Sequence, residues 1–537
     1  MSPACTHSTI TMASLLHLSV LPQLQISSIS LLAIVALLSG LLLLWHRRSS
    51  NRHSQIKLPP GPPAWPFLGH LHLLGNDLPH IAFSKLSRVH GPLMTLRLGS
   101  VTVVVASSPE MAKEILQTHD QSFASRPPTA AGGRLFFDWS DIAMAPYGPY
   151  WKLMRRLCDA HLFQGRRIEG SRGLREEEVR HLLRGVLRQS RAGSGSKQQL
   201  IGIRHHVKIA TTDILSRLVM SERLSTRGDI LAVLEEFMHF IGAPNVGDLF
   251  PRLAWVDKLQ GRVRQMDAVR DRVFATFSAI IEERRAERAA AAATPASKDL
   301  LDDLLDLSDN DKNEFSIPVS DQNITAVLMD MFAAGIDTSA FTVEWALAEL
   351  LANPAFMKKA QHELDLVVSK DRLVNDKDIP NLPYLQAVVK ETLRLHPAGP
   401  LLAPHENMEA CRIGDYYIPA KTSAFVNAWE IGRDPNVWEN ASKFFPDRFL
   451  DIKFEGPGQM FTYLPFGSGR RSCPGWQLGL SFTHFMLGSL LHSFDWKLPR
   501  SSKGKVDMTE KFKLALTLAH PLYILATPRM PVYSLKK

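Results

Sequence analysis

Ten residues near the C-terminus constrain this 537-residue chain more than any other stretch. Residues 466–475 read FGSGRRSCPG, and an apolar helical pattern over 476–494 follows at once. Gly467, Gly469 and Gly475 carry no Cβ, so the backbone around Cys473 can turn sharply and approach a flat ligand closely. The helix that follows directs its first amides toward the sulfur, which favours thiolate over thiol. Arg471 adds a guanidinium fork suited to a carboxylate. A single cysteine is most often a small buried hydrophobe. A thiolate cradled by glycines beside an anion-binding arginine, however, has the chemistry of a haem iron ligand. Cys5, Cys158 and Cys411 form no C-x-x-C spacing with it, which excludes a disulfide scaffold and argues against structural zinc.

The other end of the chain has a different character. No Asp, Glu, Lys or Arg occurs in the first 45 residues, and residues 26–45 form an apolar run. As a helix that run spans roughly 30 Å, the hydrocarbon thickness of a bilayer. Arg47, Arg48, Arg52 and Lys57 follow with no acid among them, so the body of the protein is expected on the cytoplasmic side. A cleaved signal peptide would carry its basic residues before the apolar run and a small-residue site after it, and neither is present. Residues 58–63, LPPGPP, exclude helix and central strand and act as a stiff spacer.

Between these ends the pattern is mainly helical. Residues 93–106 predict a β-hairpin turning at Gly99-Ser100. Residues 321–353 give the longest helical pattern, with Ser320 as N-cap and Pro354 just past its end, a rod of roughly 50 Å. Residues 383–395 give another, closed by His396-Pro397. The alanine-rich run 284–297 predicts an exposed linker or frayed helix end, and the acidic run 299–312 a surface segment. Residues 193–197, GSGSK, lack the preceding strand and Gly-Lys-Ser/Thr ending of a phosphate loop, so a flexible loop is expected. There are no internal repeats.

Three pairs on these helices invite chemistry. Ala334-Gly335-Ile336-Asp337-Thr338 sits midway along the long helix, where a glycine costs about 1 kcal/mol against alanine. Close helix packing would account for it. So would a helix that opens to water beside an acid and a hydroxyl, an arrangement suited to relaying protons. Glu391 and Arg394, spaced i, i+3, are by themselves an ordinary surface pair. Trp151 and Arg155 place an indole and a guanidinium one turn apart.

The complete run F-x-x-G-x-R-x-C-x-G resembles the signature of the cytochrome P450 haem-thiolate monooxygenases, and the resemblance extends from the proline hinge to the C-terminus. It implies a mainly α fold with a smaller β-sheet region, behind a single N-terminal transmembrane helix. The expected organisation is a short lumenal segment (1–25), a transmembrane anchor (26–45), a basic and proline-rich hinge (46–66) and a haem-binding catalytic domain (67–537). The implied cofactor is haem b, iron protoporphyrin IX, with Cys473 as the axial iron ligand and Phe466, Gly469 and Gly475 shaping the loop. Arg471, Trp151, Arg155 and His405 would face the haem propionates. Asp337 and Thr338 match the family's oxygen-activation motif. Glu391 and Arg394 would be joined by Arg448 as a buried support, although Asp447 stands where the family usually has Glu. The implied substrate pocket includes Met331, Ala334, Gly335, Ala398, Leu401, Leu402 and Leu514, with Leu328, Met331, Gly335 and Thr338 on one haem-facing stripe.

The hinge, the run Phe67-Leu-Gly-His-Leu and residues 245–251 and 338–349 resemble plant microsomal flavonoid and phenylpropanoid hydroxylases. On that resemblance the protein resides in the endoplasmic reticulum membrane, single-pass, with its catalytic domain cytosolic. Its partners are membrane lipid, O2, a small lipophilic substrate and an NADPH-cytochrome P450 reductase; NADPH acts only through that reductase. Two alternatives are an O2-independent haem-thiolate isomerase or dehydratase, and a non-catalytic haem-binding membrane scaffold. The Asp337–Thr338 pair argues against both. The formal charge of +9 is consistent with this picture. Four basic residues flank the anchor, and residues 147–191 hold eleven basic against five acidic residues. The remainder is close to neutral, which speaks against a nucleic-acid coat and for steering an acidic reductase to one face.

Overall fold

The computed structural model describes residues 57–75, 77–192, 199–228, 230–290, 298–309 and 317–531. The expected anchor at 26–45 and loop at 193–197 lie outside the described residues. Strands β1 (Leu93–Leu98) and β2 (Val101–Ala106) pair antiparallel with Leu98 opposite Val101, so Gly99 and Ser100 form a two-residue turn. Gly99 adopts φ +63°, a region that a side chain disfavours. Strands β3 (His405–Glu406) and β4 (Ser423–Val426) complete a sheet of order β1-β2-β4-β3, in which β2 and β4 run parallel. Both faces of this sheet are covered. Met94, Leu96, Val103 and Val105 pack with Phe83 on one side, and Leu93, Val104 and Ala106 with Leu116 and Ile418 on the other. Burial on two faces explains the continuous β-branched run in β2.

Seven helices carry the site: α1 (Pro149–Cys158), α2 (Ile203–Met220), α3 (Arg262–Ala290), α4 (Leu300–Asp309), α5 (Asp321–Ala352), α6 (Pro383–Leu395) and α7 (Trp476–Ser493). Proline opens α1 and α6, where the missing N–H has no intrahelical partner to lose. The start of α5 is a reciprocal capping box: the Asn323 amide donates to the Ser320 hydroxyl, and the Ser320 amide to Asn323 Oδ1 at 2.8 Å. Helices α2, α6 and α7 pack around α5. Among the described residues, α5 is the one helix long and apolar enough to cross a membrane, yet 78% of its apolar window is buried inside the fold. It is a core helix.

Two local expectations are corrected. Of the stretch 284–297, residues 291–297 lie outside the described residues, and 284–290 are no linker but the last turns of the 29-residue helix α3. Alanine is the strongest helix former, and Arg284 reaches inward to Asp299 at 2.9 Å, Asp302 at 3.2 Å and the Met220 carbonyl at 2.6 Å. Residues 300–309 are not simply surface. Leu300, Leu301, Leu304 and Leu305 form one buried face of α4, and its aspartates include Asp302, itself buried against Arg284.

Candidate active site

The cysteine loop is built by hydrogen bonds that turn it back on itself. The Cys473 amide donates to the Phe466 carbonyl at 2.9 Å, the Ser472 amide to Gly469 at 3.0 Å, and the Gly479 amide to Gly475 at 2.8 Å, starting α7. Gly467 and Gly469 take φ +66° and +72°. At Gly469 a Cβ would collide with the Leu116 carbonyl oxygen and stand 2.6 Å from Asp120 Oδ1. That aspartate accepts the Arg470 amide at 2.9 Å and pairs with the Arg470 guanidinium. Gly475 lies beside the Phe163 ring, 3.2 Å from where its Cβ would be. Burial pushes the Cys473 thiol up, and the Gly475 amide and Arg155 offset this only in part. The Gly475 amide at the start of α7 acts in the direction expected from sequence, favouring the thiolate against burial.

Beside the loop lies a concentration of positive charge. Arg471 is buried and donates to three backbone carbonyls: Ala124 (2.6 Å), Ile142 (3.1 Å) and Ala145 (2.6 Å). Its guanidinium lies 4.3 Å from the centre of the Trp151 ring, whose indole N–H also donates to Ile142 O at 3.0 Å. Arg155, one turn along α1, donates to Ser472 O at 3.0 Å and pairs with Asp159. His405 donates from Nδ1 to the Phe123 carbonyl at 2.8 Å. Burial, with Arg126 second, pulls its pKa down to about 3, so the ring is neutral at physiological pH. Sequence reasoning did not single out Arg126, which is buried too and donates to Ala143 O, Ala403 O and Pro404 O. The signal was available, since an arginine preceding Pro127-Pro128 is held extended and can be aimed.

Burial lowers Arg126 to about 10 and Arg471 to about 9. Neither has an ion-pair partner among the described residues. The buried Asp141–Asp330 pair facing them offsets only part of two buried positive charges, and a flat ligand bearing two carboxylates supplies the rest. The residues therefore fit haem.

Helix α5 brings its motif to this region. Ala334 is exposed and Thr338 half-exposed in the middle of a helix whose neighbours are buried, so this face borders internal space. Thr338 Oγ1 donates to the Ala334 carbonyl at 2.6 Å, and Met331 lies one turn before. Helix α7, leaving the cysteine loop, passes close to the adjacent Ser339, 4.0 Å from where a Cβ on Gly479 would be.

Gly335 and Asp337 turn elsewhere. A Cβ on Gly335 would meet Leu215 of α2 at 2.6 Å, so this glycine serves close helix packing and leaves the haem-facing stripe. The Asp337 carboxylate pairs with Lys208 of α2 at 2.9 Å, and Lys208 also holds Glu235 at 3.0 Å. Although burial opposes it, the two carboxylates raise the Lys208 pKa. Successive residues on a helix diverge by about 100°, so Asp337 and Thr338 adjoin in sequence while facing different neighbours.

The other pocket residues divide similarly. Ala398 accepts from the Leu516 amide at 2.9 Å, tying its segment to the strand Leu516–Leu518; Leu514 sits half-exposed at the tip of that hairpin. Leu402, at φ +54°, extends to within 3.7 Å of the Cβ position of Gly467 in the cysteine loop. Leu401 points the other way, into the apolar cluster of Phe83, Met94 and Val103, and is removed from the expected pocket.

Glu391, Arg394 and Arg448 come together. Glu391 accepts from Arg394 Nε (2.7 Å) and Nη2 (2.8 Å), from Arg448 Nε (3.1 Å) and from the Phe445 amide (2.7 Å). Arg394 also donates to the carbonyls of Gly432, Ala441 and Lys443, so the chain that leads to the cysteine loop is tied to α6. Asp447 turns outward to Lys359.

The family model for cytochrome P450 matches residues 59–526. The chain belongs to the cytochrome P450 family and is a monooxygenase with a haem-iron cofactor, using O2, a substrate and a redox partner. It is similar to a flavonoid 3'-monooxygenase of Crocosmia x crocosmiiflora, 41% identical over 91% of this chain and 95% of that protein. It is also similar to a 3,9-dihydroxypterocarpan 6A-monooxygenase of Glycine max, 40% identical over 93% of this chain and 98% of the other. Among solved structures, a zebrafish cytochrome P450 with abiraterone superimposes with a TM-score of 0.71 at 26% identity, covering 84% of this chain and all of that one.

Proposed function

We propose that this protein hydroxylates a flavonoid or related phenolic compound. It does so as a single-pass protein of the endoplasmic reticulum membrane, its catalytic body in the cytosol and its electrons arriving from NADPH through an NADPH-cytochrome P450 reductase. The observation that carries the haem-thiolate reading is the meeting of the Cys473 loop with the buried, unpaired guanidiniums of Arg126 and Arg471. The substrate class rests on relatives named for flavonoid and pterocarpan oxidation.

Haem b, when bound, supplies O2 activation and transfer of one oxygen atom to a substrate C–H bond. Cys473 would hold its iron through sulfur, and Arg126, Arg155 and Arg471 would face its propionates, while the one indole N–H of Trp151 is committed to the Ile142 carbonyl and its ring backs Arg471. Neutral His405 positions the backbone at Phe123 and adds no charge. Ala334, Met331, Ala398, Leu402 and Leu514 supply apolar walls that exclude water and orient a planar substrate. Thr338 holds a proton at Oγ1 on the exposed face of α5. Asp337, held by Lys208, supports that helix from behind and must release the lysine to exchange protons on the Thr338 side. Lys152, exposed on α1 within one turn of the cysteine-loop contact of Arg155, contributes to the face that receives the reductase.

Thr338→Ala is expected to leave NADPH consumption running while hydroxylated product falls at least about tenfold and peroxide takes its place. Product and peroxide yields per NADPH check this, and unchanged coupling would remove Thr338 from proton delivery. The substrate class is tested by incubating microsomes containing this protein and a reductase with flavanones, hydroxycinnamoyl esters, terpenes and fatty acids. A type I spectral shift together with a product heavier by one oxygen is expected with the flavonoids. Binding and turnover confined to another class would overturn the assignment.

A further inference from the structure

Two aspartates that the reaction does not use meet inside the fold. Asp141, in the loop before α1, is fully buried, and Asp330 of α5 is 4% exposed. Asp330 Oδ2 accepts the amides of Ile142 at 2.5 Å and Ala143 at 3.0 Å. Asp141 Oδ2 accepts the Met144 amide at 2.8 Å, while its buried Oδ1 has no donor. Accepting from the successive amides of residues 142–144, the two carboxyls are neighbours, and Asp141 Oδ1 is buried without a partner. Two like charges this close cannot both be ionised in a buried site.

We infer that Asp141 and Asp330 share one proton, carried on Asp141 Oδ1 and donated to the Asp330 carboxylate, and that this bridge is a positioning device clamping the 137–147 loop to α5. Burial raises both carboxyls, and for Asp141 the neighbouring Asp330 charge raises it further. The other groups facing the pair are the Arg471 and Arg126 guanidiniums, the Tyr150 phenol and the Cys158 thiol. Both of the latter are pushed up by burial and stay neutral.

What the bridge positions is the Ile142 peptide. Its N–H is taken by Asp330, and its carbonyl receives both the Trp151 indole and Arg471. The neighbouring carbonyls of Ala143 and Ala145 receive Arg126 and Arg471. One clamped segment therefore sets two of the guanidiniums assigned to the haem carboxylates and the indole that backs one of them. The segment needs a clamp. Immediately upstream, Phe137, Asp138 and Trp139 all adopt positive φ, +48°, +58° and +57°, three side-chain-bearing residues in succession in the region that such residues avoid. Released from α5, that turn would relax. The clamp stands on the Asp141 and Asp330 geometry alone; only its consequence for the donor cluster rests on the haem reading.

The test is hydrogen exchange at the amides of Ile142, Ala143 and Met144 in the full-length, haem-loaded protein, corrected for intrinsic exchange and followed across neutral pH. The clamped loop keeps a proton that the opened loop releases. Its opening constant in the wild type should therefore rise about tenfold per pH unit while the pair stays protonated. In Asp141→Asn an amide donates to Asp330 without titrating, so opening should be pH-independent, and the ratio of wild type to variant should climb by that same tenfold per unit. If Asp141→Asn does not fold, Asp330→Asn carries the same prediction, since its amide donates to Asp141 and its carbonyl accepts Ile142 and Ala143. Parallel pH profiles for wild type and the asparagine variants would overturn the shared proton. Loss of the haem signature with the pH contrast intact would instead count against the haem reading.

Discussion

Glu391→Ala is expected to destabilise the protein by about 3–5 kcal/mol, the range for removing one partner of a fully buried charge pair. The Glu391 and Arg394 side chains are both 0% exposed. The substitution strips four N–H donors of their acceptor at once, and Arg394 is left as a buried cation with backbone carbonyls alone. Folded domains are stable by roughly 5–15 kcal/mol, so a loss of this size leaves little holoprotein at growth temperature. Denaturant midpoints of purified protein measure it. Asp447→Ala is the internal control. Its partner Lys359 is half-exposed, and such surface pairs contribute about 0–1 kcal/mol. Equal losses at the two positions would contradict the assignment of the support to Glu391 and of a peripheral place to Asp447.

The second large effect belongs to the loop itself. Gly469→Ala should abolish the thiolate-ligated haem site, because two obstacles act together. Its φ of +72° is a strained conformation for alanine, costing on the order of 1–2 kcal/mol. In addition, its methyl would be driven into the Leu116 backbone carbonyl, which cannot swing aside as a flexible side chain could. Gly479→Ala, one turn into α7, meets nothing nearer than Ser339 Oγ at 4.0 Å and should retain a full complement of haem. Haem content per protein distinguishes the two, and normal loading of the Gly469 variant would show that the loop is not packed as described.

How much of this could be read from the residues depends on whether a signal was local. The hairpin turn at Gly99-Ser100, the Ser320 cap and the cysteine loop with its glycines are fixed by neighbours in sequence, and each falls where its residues point. Glu391 and Arg394 show the opposite limit. Their spacing alone describes an exposed pair, and burial comes only when residues 432–448 fold back over α6. The same holds for Asp337, whose partner Lys208 lies on a helix far upstream, and for Gly335, whose neighbour Leu215 belongs to that same helix. Leu401 and Leu402 are neighbours in an apolar run, which by itself points both to the pocket. The positive φ of Leu402 sends adjacent side chains to opposite sides of one strand of chain. Composition misled at α4, where acids on one face concealed four buried leucines on the other. The shared proton of Asp141 and Asp330 has no local signal, since each aspartate is unremarkable until the other is beside it.

Cys473 is expected to hold haem iron as a thiolate, with the buried arginines answering the haem's two carboxylates. This is tested most directly by the absorption spectrum of the purified, reduced protein under carbon monoxide. The red-shifted Soret band of a thiolate-ligated haem is expected. A band of the histidine-ligated type, or protein that purifies without haem, would contradict it.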